Sequence, residues 1–223
     1  MAAKCQRHGN LSNLKIKRMK NKGCMAVAIV LGVFLIITIF VTMWGFSRYG
    51  DLVKGNNDVL KKWSNVETVY QKRANLIPNL ERTVKSYAKF EKETLTQVIE
   101  ARSNATSMKI DASNMTEEDL KRFQEAQGQL SGALSRLMMV AEQYPNLKAD
   151  QQFISFQREY TAIENSIRIE TVYYNDAVEG FNNMVETPPT SILAAFFPKF
   201  KAKPFFKAEA GTEKAPEVFS EEK

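Results

Sequence analysis

Hydrophobic and polar positions along this 223-residue chain fall into three regimes. From Met25 to Phe46 (MAVAIVLGVFLIITIFVTMWGF) the apolar run is unbroken by charge, with Thr38 and Thr42 as its hydroxyl side chains. A helix of that length covers about 33 Å, enough to cross the hydrocarbon core of a bilayer. Inside lipid only a helix satisfies its backbone donors and acceptors within one segment. A cleaved signal peptide has a shorter apolar region that ends in small residues, whereas here Trp44-Gly45-Phe46-Ser47-Arg48-Tyr49 closes the run. The pattern predicts an uncleaved signal anchor, with Trp44 and Tyr49 at its far interface.

From Asp51 a helical period takes over, beginning with Val59, Trp63, Val66, Tyr70 and Ile77. Pro78 follows, and proline costs about 3 kcal/mol in a helix interior but is at ease in a first turn. This predicts a break near residues 74–77 and a second helix from Pro78 to about Arg102, with Leu80, Val84, Tyr87, Leu95 and Val98 on its seam. Residues 103–115 (SNATSMKIDASNM) read as a loop. Thr116, followed by Glu117, Glu118 and Asp119, is a predicted N-cap for a third helix, which keeps its spacing from Leu120 to Tyr144 and stops at Pro145. Asp150 caps a fourth, from Phe153 to Val185, which Pro188-Pro189 ends. Its seam passes Glu170 or Thr171, and a carboxylate buried there needs a partner such as Arg73 or Arg102.

Four helices of about 27–37 residues, each with one apolar stripe, bury those stripes as an antiparallel up-and-down four-helix bundle. The expected fold is therefore all-α, a single N-terminal transmembrane helix followed by that bundle. The layout runs as a basic tail (1–24), the span (25–46), the bundle (47–187), a Phe/Lys segment (188–207) and a disordered tail (208–223). The fourth helix returns the chain toward the bilayer. The Phe/Lys segment interleaves Phe196, Phe197, Phe200, Phe205 and Phe206 with Lys199, Lys201, Lys203 and Lys207. It fits a membrane-interface patch with rings at the acyl boundary and lysines on anionic head groups. It equally fits rings packed against the bundle.

Charge refines the picture. The net charge is +6, yet residues 1–24 carry seven basic side chains and no acid, and residues 47–223 carry 24 basic and 25 acidic ones. Nucleic-acid binding by the main domain thus has no electrostatic basis. The flank after the span carries Arg48, Lys54, Lys61 and Lys62, so the bias favours a cytoplasmic N-terminus and an extracytoplasmic domain at the cell membrane. Cys5, His8 and Cys24 all lie in the tail. Beyond it the sequence has neither imidazole nor thiol, which removes Ser-His and Cys-His catalysis and the Glu-x-x-His di-iron motif. No catalytic residue, metal ligand or cofactor site is expected.

Several motifs stand out: Trp63-Ser-Asn-Val66, Arg73-Ala-Asn-Leu-Ile-Pro-Asn-Leu80, Leu130-Ser-Gly-Ala-Leu-Ser-Arg136, Glu142-Gln-Tyr-Pro-Asn-Leu-Lys-Ala149, Glu164-Asn-Ser-Ile167 and Tyr174-Asn175. In this order they resemble the LemA family of bacterial membrane proteins, over about residues 47–207. The resemblance implies a short cytoplasmic N-terminus, one span and an exported helical bundle, and carries no enzymatic activity. Ser166 and Thr171 stand where the family often has arginine, so a polar layer would be rearranged here, with Arg168 as a substitute.

Arg73, Asn75, Asn79, Glu142, Glu164, Asn165 and Asn175 are the candidate polar-layer or interaction residues. The expected function is a non-catalytic, membrane-anchored module that docks other envelope proteins, lipid or further copies of itself. A small-ligand binder lined by Trp63, Tyr87 and Tyr174 is the alternative. A carboxylate enzyme using Glu91, Glu142 or Glu164 finds no diagnostic spacing.

Overall fold

A computed structural model of the protein describes residues 12–87 and 90–207, with side chains from residue 25 onward. The expectations for Cys5, His8 and the 208–223 tail, and for the Cys24 side chain, lie outside the described residues. The described residues contain no strand. Their helices are α1 (Ser12–Lys85), α2 (Lys92–Ser107), α3 (Glu117–Ala141), α4 (Pro145–Lys148), α5 (Gln151–Glu186) and α6 (Thr190–Ala195). The chain divides into two units, Met1–Gly50 and Asp51–Lys223.

In the first unit every residue from Met25 to Trp44 is exposed, although the run is long and apolar enough to cross a membrane. A helix that is apolar all round and belonged to a soluble core would be covered by protein. Its hydroxyls are folded into its own backbone: Thr38 Oγ1 donates to the Phe34 carbonyl and Thr42 Oγ1 to that of Ile39, both at 2.9 Å. Neither hydroxyl is left reaching outward into an apolar solvent.

The second unit corrects the expected break at Pro78. Helix α1 runs through this proline to Lys85, and the chain turns only beyond it, at Ser86 and Tyr87. Proline lacks the N–H that would bond the carbonyl four residues earlier, here that of Ala74. Arg102 of α2 supplies the missing donor, its Nε reaching the Ala74 oxygen at 2.9 Å. A defect that ends a helix in isolation is satisfied by a neighbouring helix. The second helix is accordingly short, 16 residues, and begins after Glu91 instead of at Pro78. It also continues to Ser107, five residues into the stretch expected to be loop, with Thr106 and Ser107 bonding back to carbonyls of the preceding turn.

The later boundaries follow local chemistry. Thr116 Oγ1 accepts from the Asp119 N–H while the Asp119 carboxylate accepts from the Thr116 N–H, a reciprocal capping box that starts α3. Asp150 Oδ1 accepts from the Gln152 and Phe153 amides at the head of α5. Tyr87, in the α1–α2 turn, donates to Asp150 Oδ2 at 2.8 Å and pins that turn to the same cap. The core at this end gathers Ile77, Leu80 and Val84 of α1 with Leu95 and Val98 of α2, Leu130, Leu134 and Leu137 of α3, and Phe153 and Phe156 of α5.

Candidate functional site

Two interior layers, ten residues apart on α1, carry the unit's unusual chemistry. The first surrounds Arg73, which is only 2% exposed. Its Nη1 donates to Ser131 Oγ at 2.7 Å and to Glu164 Oε1 at 3.0 Å. Its Nη2 donates to the Gln127 carbonyl at 3.0 Å and to Gln127 Oε1 at 2.6 Å. Gln127 passes the chain on, donating to the Ala105 carbonyl of α2 at 3.3 Å. One guanidinium fork thereby ties α1 to α3 and α5 directly, and to α2 through the glutamine. Tyr160 joins the margin: burial pushes its phenol up, and the neighbouring Glu164 charge adds to the effect.

The second layer is aromatic. Trp63 meets Phe123 at 5.3 Å and Tyr174 at 5.6 Å edge to face, and stacks on Phe206 at 5.9 Å between centroids. Phe206 belongs to a non-helical strap, residues 200–207, that follows α6 and the turns at 196–199. Asn175 Nδ2 donates to the Phe206 carbonyl at 3.0 Å while its Oδ1 accepts from the Phe206 N–H at 2.9 Å. One heptad on, Asn182 does the same to Lys203, at 2.9 and 2.8 Å. Tyr174 donates to the Pro204 carbonyl at 3.1 Å, and burial pushes its phenol far up. The Lys203 ammonium, itself buried, donates to the Ser113 carbonyl at 2.6 Å, and burial lowers its pKa against the opposing pull of Asp111. The buried Trp63 indole N–H has no partner within hydrogen-bond geometry. It faces Glu67, whose carboxyl is pushed up by partial burial and drawn back by the indole.

These layers sort the sequence candidates. Of the seven polar-layer residues, Arg73 and Glu164 meet. Asn175 is a strap clamp in the other layer. Asn75, Asn79, Glu142 and Asn165 are exposed and join neither: Asn75 accepts from Gln71, Asn79 from Arg82, and Glu142 pairs with Lys148. Arg168 is exposed too, so it does not substitute in the layer. Glu170 is met by Asn65 Nδ2 at 3.1 Å in place of either arginine. Gln127 and Asn182 complete the layers without being among the polar-layer candidates, and Ser131, expected only as a small residue allowing close helix approach, accepts from Arg73. Their signal is a polar side chain at seam spacing, legible for Gln127 between Phe123 and Leu130, and for Asn182 seven residues after Asn175.

The Phe/Lys segment divides as well. Phe200, Lys203 and Phe206 are buried in the unit, with Phe200 against Phe181 at 6.5 Å. Half-buried Phe197 packs on Phe200 at 6.1 Å, and Lys207 pairs with Glu117 of α3. Phe196, Lys199, Lys201 and Phe205 are exposed. A separate groove of about 540 Å³ opens beside the Arg73 layer, lined by Glu67, Tyr70, Gln71, Asn75, Phe123 and Gln127 among others. Trp63, Tyr87 and Tyr174, the expected pocket lining, do not line it. Among the described residues, no three His, Cys, Asp or Glu side chains gather as a metal site.

The chain is 24% identical over 162 residues to Protein LemA of Metamycoplasma hominis, covering 72% of this chain and 70% of that one. It is also 24% identical over 224 residues to Magnetosome protein MamQ 1 and Magnetosome protein MamQ 2 of Paramagnetospirillum magneticum, covering 92% of this chain and 81% of each relative. The LemA family profile matches residues 62–219, which takes in both interior layers and the strap. With an exposed apolar helix ahead of that match, the protein is a membrane-associated member of the LemA family.

Proposed function

We propose that the protein is a single-pass docking module of the cell envelope, its N-terminus cytoplasmic and its helical unit, an antiparallel four-helix bundle, on the other side. The side-chain pairings support the bundle. Ascending α1 from Trp63 to Arg73, partners on α3 ascend from Phe123 to Gln127 and Ser131, while partners on α5 descend from Tyr174 to Glu164. The excess of basic residues ahead of the span supports the orientation.

The observation that carries the docking reading is how the Arg73 layer uses its charge. Both Nη groups of the guanidinium are committed to Ser131, Glu164 and Gln127, and Nε is buried without a partner, which leaves recognition to the surface. On that surface Ile169, Val172 and Tyr173 form an exposed apolar cluster at helix-face spacing on α5. Photo-crosslinking from position 172 of the full chain in its own membrane tests this. A discrete crosslinked protein that disappears with Tyr173→Glu is expected; unchanged capture from position 172 and from a control position on α3 counts against it. A small-ligand reading has one observation in its favour, the groove beside Gln127. Tyr70→Ala would abolish such binding without loss of fold.

A further inference from the structure

The short helix α6 has two opposite faces. Thr190 and Ala194, four residues apart, are buried against the unit. Ile192 and Phe196, also four apart and half a turn away, are 64% and 75% exposed. A folded domain has no reason of its own to hold two large apolar side chains outward on one turn of helix.

The surroundings specify what covers them. Residues 187–207 contain four lysines and no acid. Lys203 and Lys207 are engaged within the unit, the first on the Ser113 carbonyl and the second on Glu117. Lys199 and Lys201, directly after the helix, are exposed, with Lys199 held over the Phe200 ring at 4.8 Å. Two outward apolar side chains bordered by cations, without an anion in the segment, complement a surface that is apolar below and negative at its rim.

The covalent path keeps that surface within reach. The end of α5 approaches α1 at Gly55, where a β-carbon would collide with the Met184 methyl and lie 3.2 Å from the Phe181 ring. A side chain there would require Met184 to shift, so the end of α5 packs closely on the Gly55 end of α1. Eight residues lie between Gly55 and Phe46, the last residue of the apolar run, a reach of at most about 32 Å in any conformation.

We infer that Ile192 and Phe196, flanked by Lys199 and Lys201, form a contact surface for an anionic lipid bilayer. The inference rests on the membrane-anchored reading above. It narrows the lipid-facing role within the Phe/Lys segment to the outward face of α6 and the lysines after it, because Phe200, Lys203 and Phe206 pack inside.

The test uses the full chain with Cys5→Ala and Cys24→Ala, reconstituted into phosphatidylglycerol-containing bilayers. Nitroxide labels are placed singly through Ala195→Cys, through Val33→Cys in the span and through Glu125→Cys on α3. The label at 195 is expected to be reached by oxygen in preference to a water-soluble nickel chelate, as at 33 and unlike 125. That preference should be lost with Phe196→Ser, with Lys199→Glu plus Lys201→Glu, and in purely phosphatidylcholine bilayers. A label at 195 as open to nickel as the one at 125 overturns the lipid contact. So does an immobilised label shielded from both reagents, which means that a second copy or another protein covers the helix. If position 33 also behaves as aqueous, the membrane reading falls with it; if 33 is immersed and 195 is not, only this inference fails.

Discussion

The Arg73 layer and the Trp63 layer lie ten residues apart on one helix and are built on opposite principles. The first is polar, and its members come from long helices alone. The second is apolar, and it is incomplete until residues 203–206 lie across it. A buried guanidinium with five donors demands partners at fixed angles, so it sets the register of the helices around it. A ring cluster tolerates several edge-to-face and stacked arrangements, and here the asparagine clamps on the strap backbone select one. One layer specifies, and the other seals.

The largest effect should come from opening the seal. Phe206→Ala is expected to cost about 3–5 kcal/mol and to change the near-ultraviolet circular dichroism of Trp63. Amide exchange around Arg73 should hold until global unfolding. Equal loss of protection at both layers would show that they are not separable. Next, Glu164→Leu leaves the Arg73 charge short of its anion and should cost about 3 kcal/mol in denaturant unfolding. Adding Arg73→Met removes the charge as well and should recover most of that, leaving about 1 kcal/mol for the unpartnered Gln127 oxygen. A double variant worse than the single one would mean that the layer contributes net stability instead of register.

Arg102→Met strips the Ala74 carbonyl at Pro78 of its donor, an expected cost of about 1–2 kcal/mol. In a Pro78→Ala background the restored N–H takes that role, so the same substitution should cost clearly less. The smallest effect concerns pH. The Tyr87 hydroxyl, followed by the Gln152 and Phe153 amides, holds the Asp150 carboxyl below its ordinary value of 3.8. A carboxylate depressed in the folded state contributes stability that is complete above its unfolded value and is lost as pH falls through its folded one. Acid titration of stability should therefore steepen below about pH 4. Asp150→Asn should flatten that part of the curve without altering the profile at neutral pH.

What could be read in the sequence was what local chemistry decides. The span from Met25 to Phe46 needs only length and the absence of charge. The caps at Thr116 and Asp150 act within three residues of themselves, and both are present. Pro78 defeats a sequence reading because the rule for proline counts only donors on its own helix, whereas Arg102 is 28 positions along the chain from the Ala74 carbonyl that it serves. Asn75, Asn79 and Asn165 looked like layer members because they sit beside seam residues, and a shift of one position on a helix turns a side chain by about 100°. The strap was least legible. Its Phe/Lys alternation fits both a membrane surface and a packed segment, and the deciding contacts come from Asn175 and Asn182 on another element.

Those two asparagines have an implication for how the segment could vary. A carboxamide sets an N–H donor beside a carbonyl acceptor, as a peptide unit does, so each asparagine grips main chain, at Phe206 and at Lys203. The inward side chains of those two residues are set by their own contacts, while the residues between them bear no such constraint. Outward positions such as Ala202 and Phe205 are open to drift or to engineered tags, while the path itself stays put.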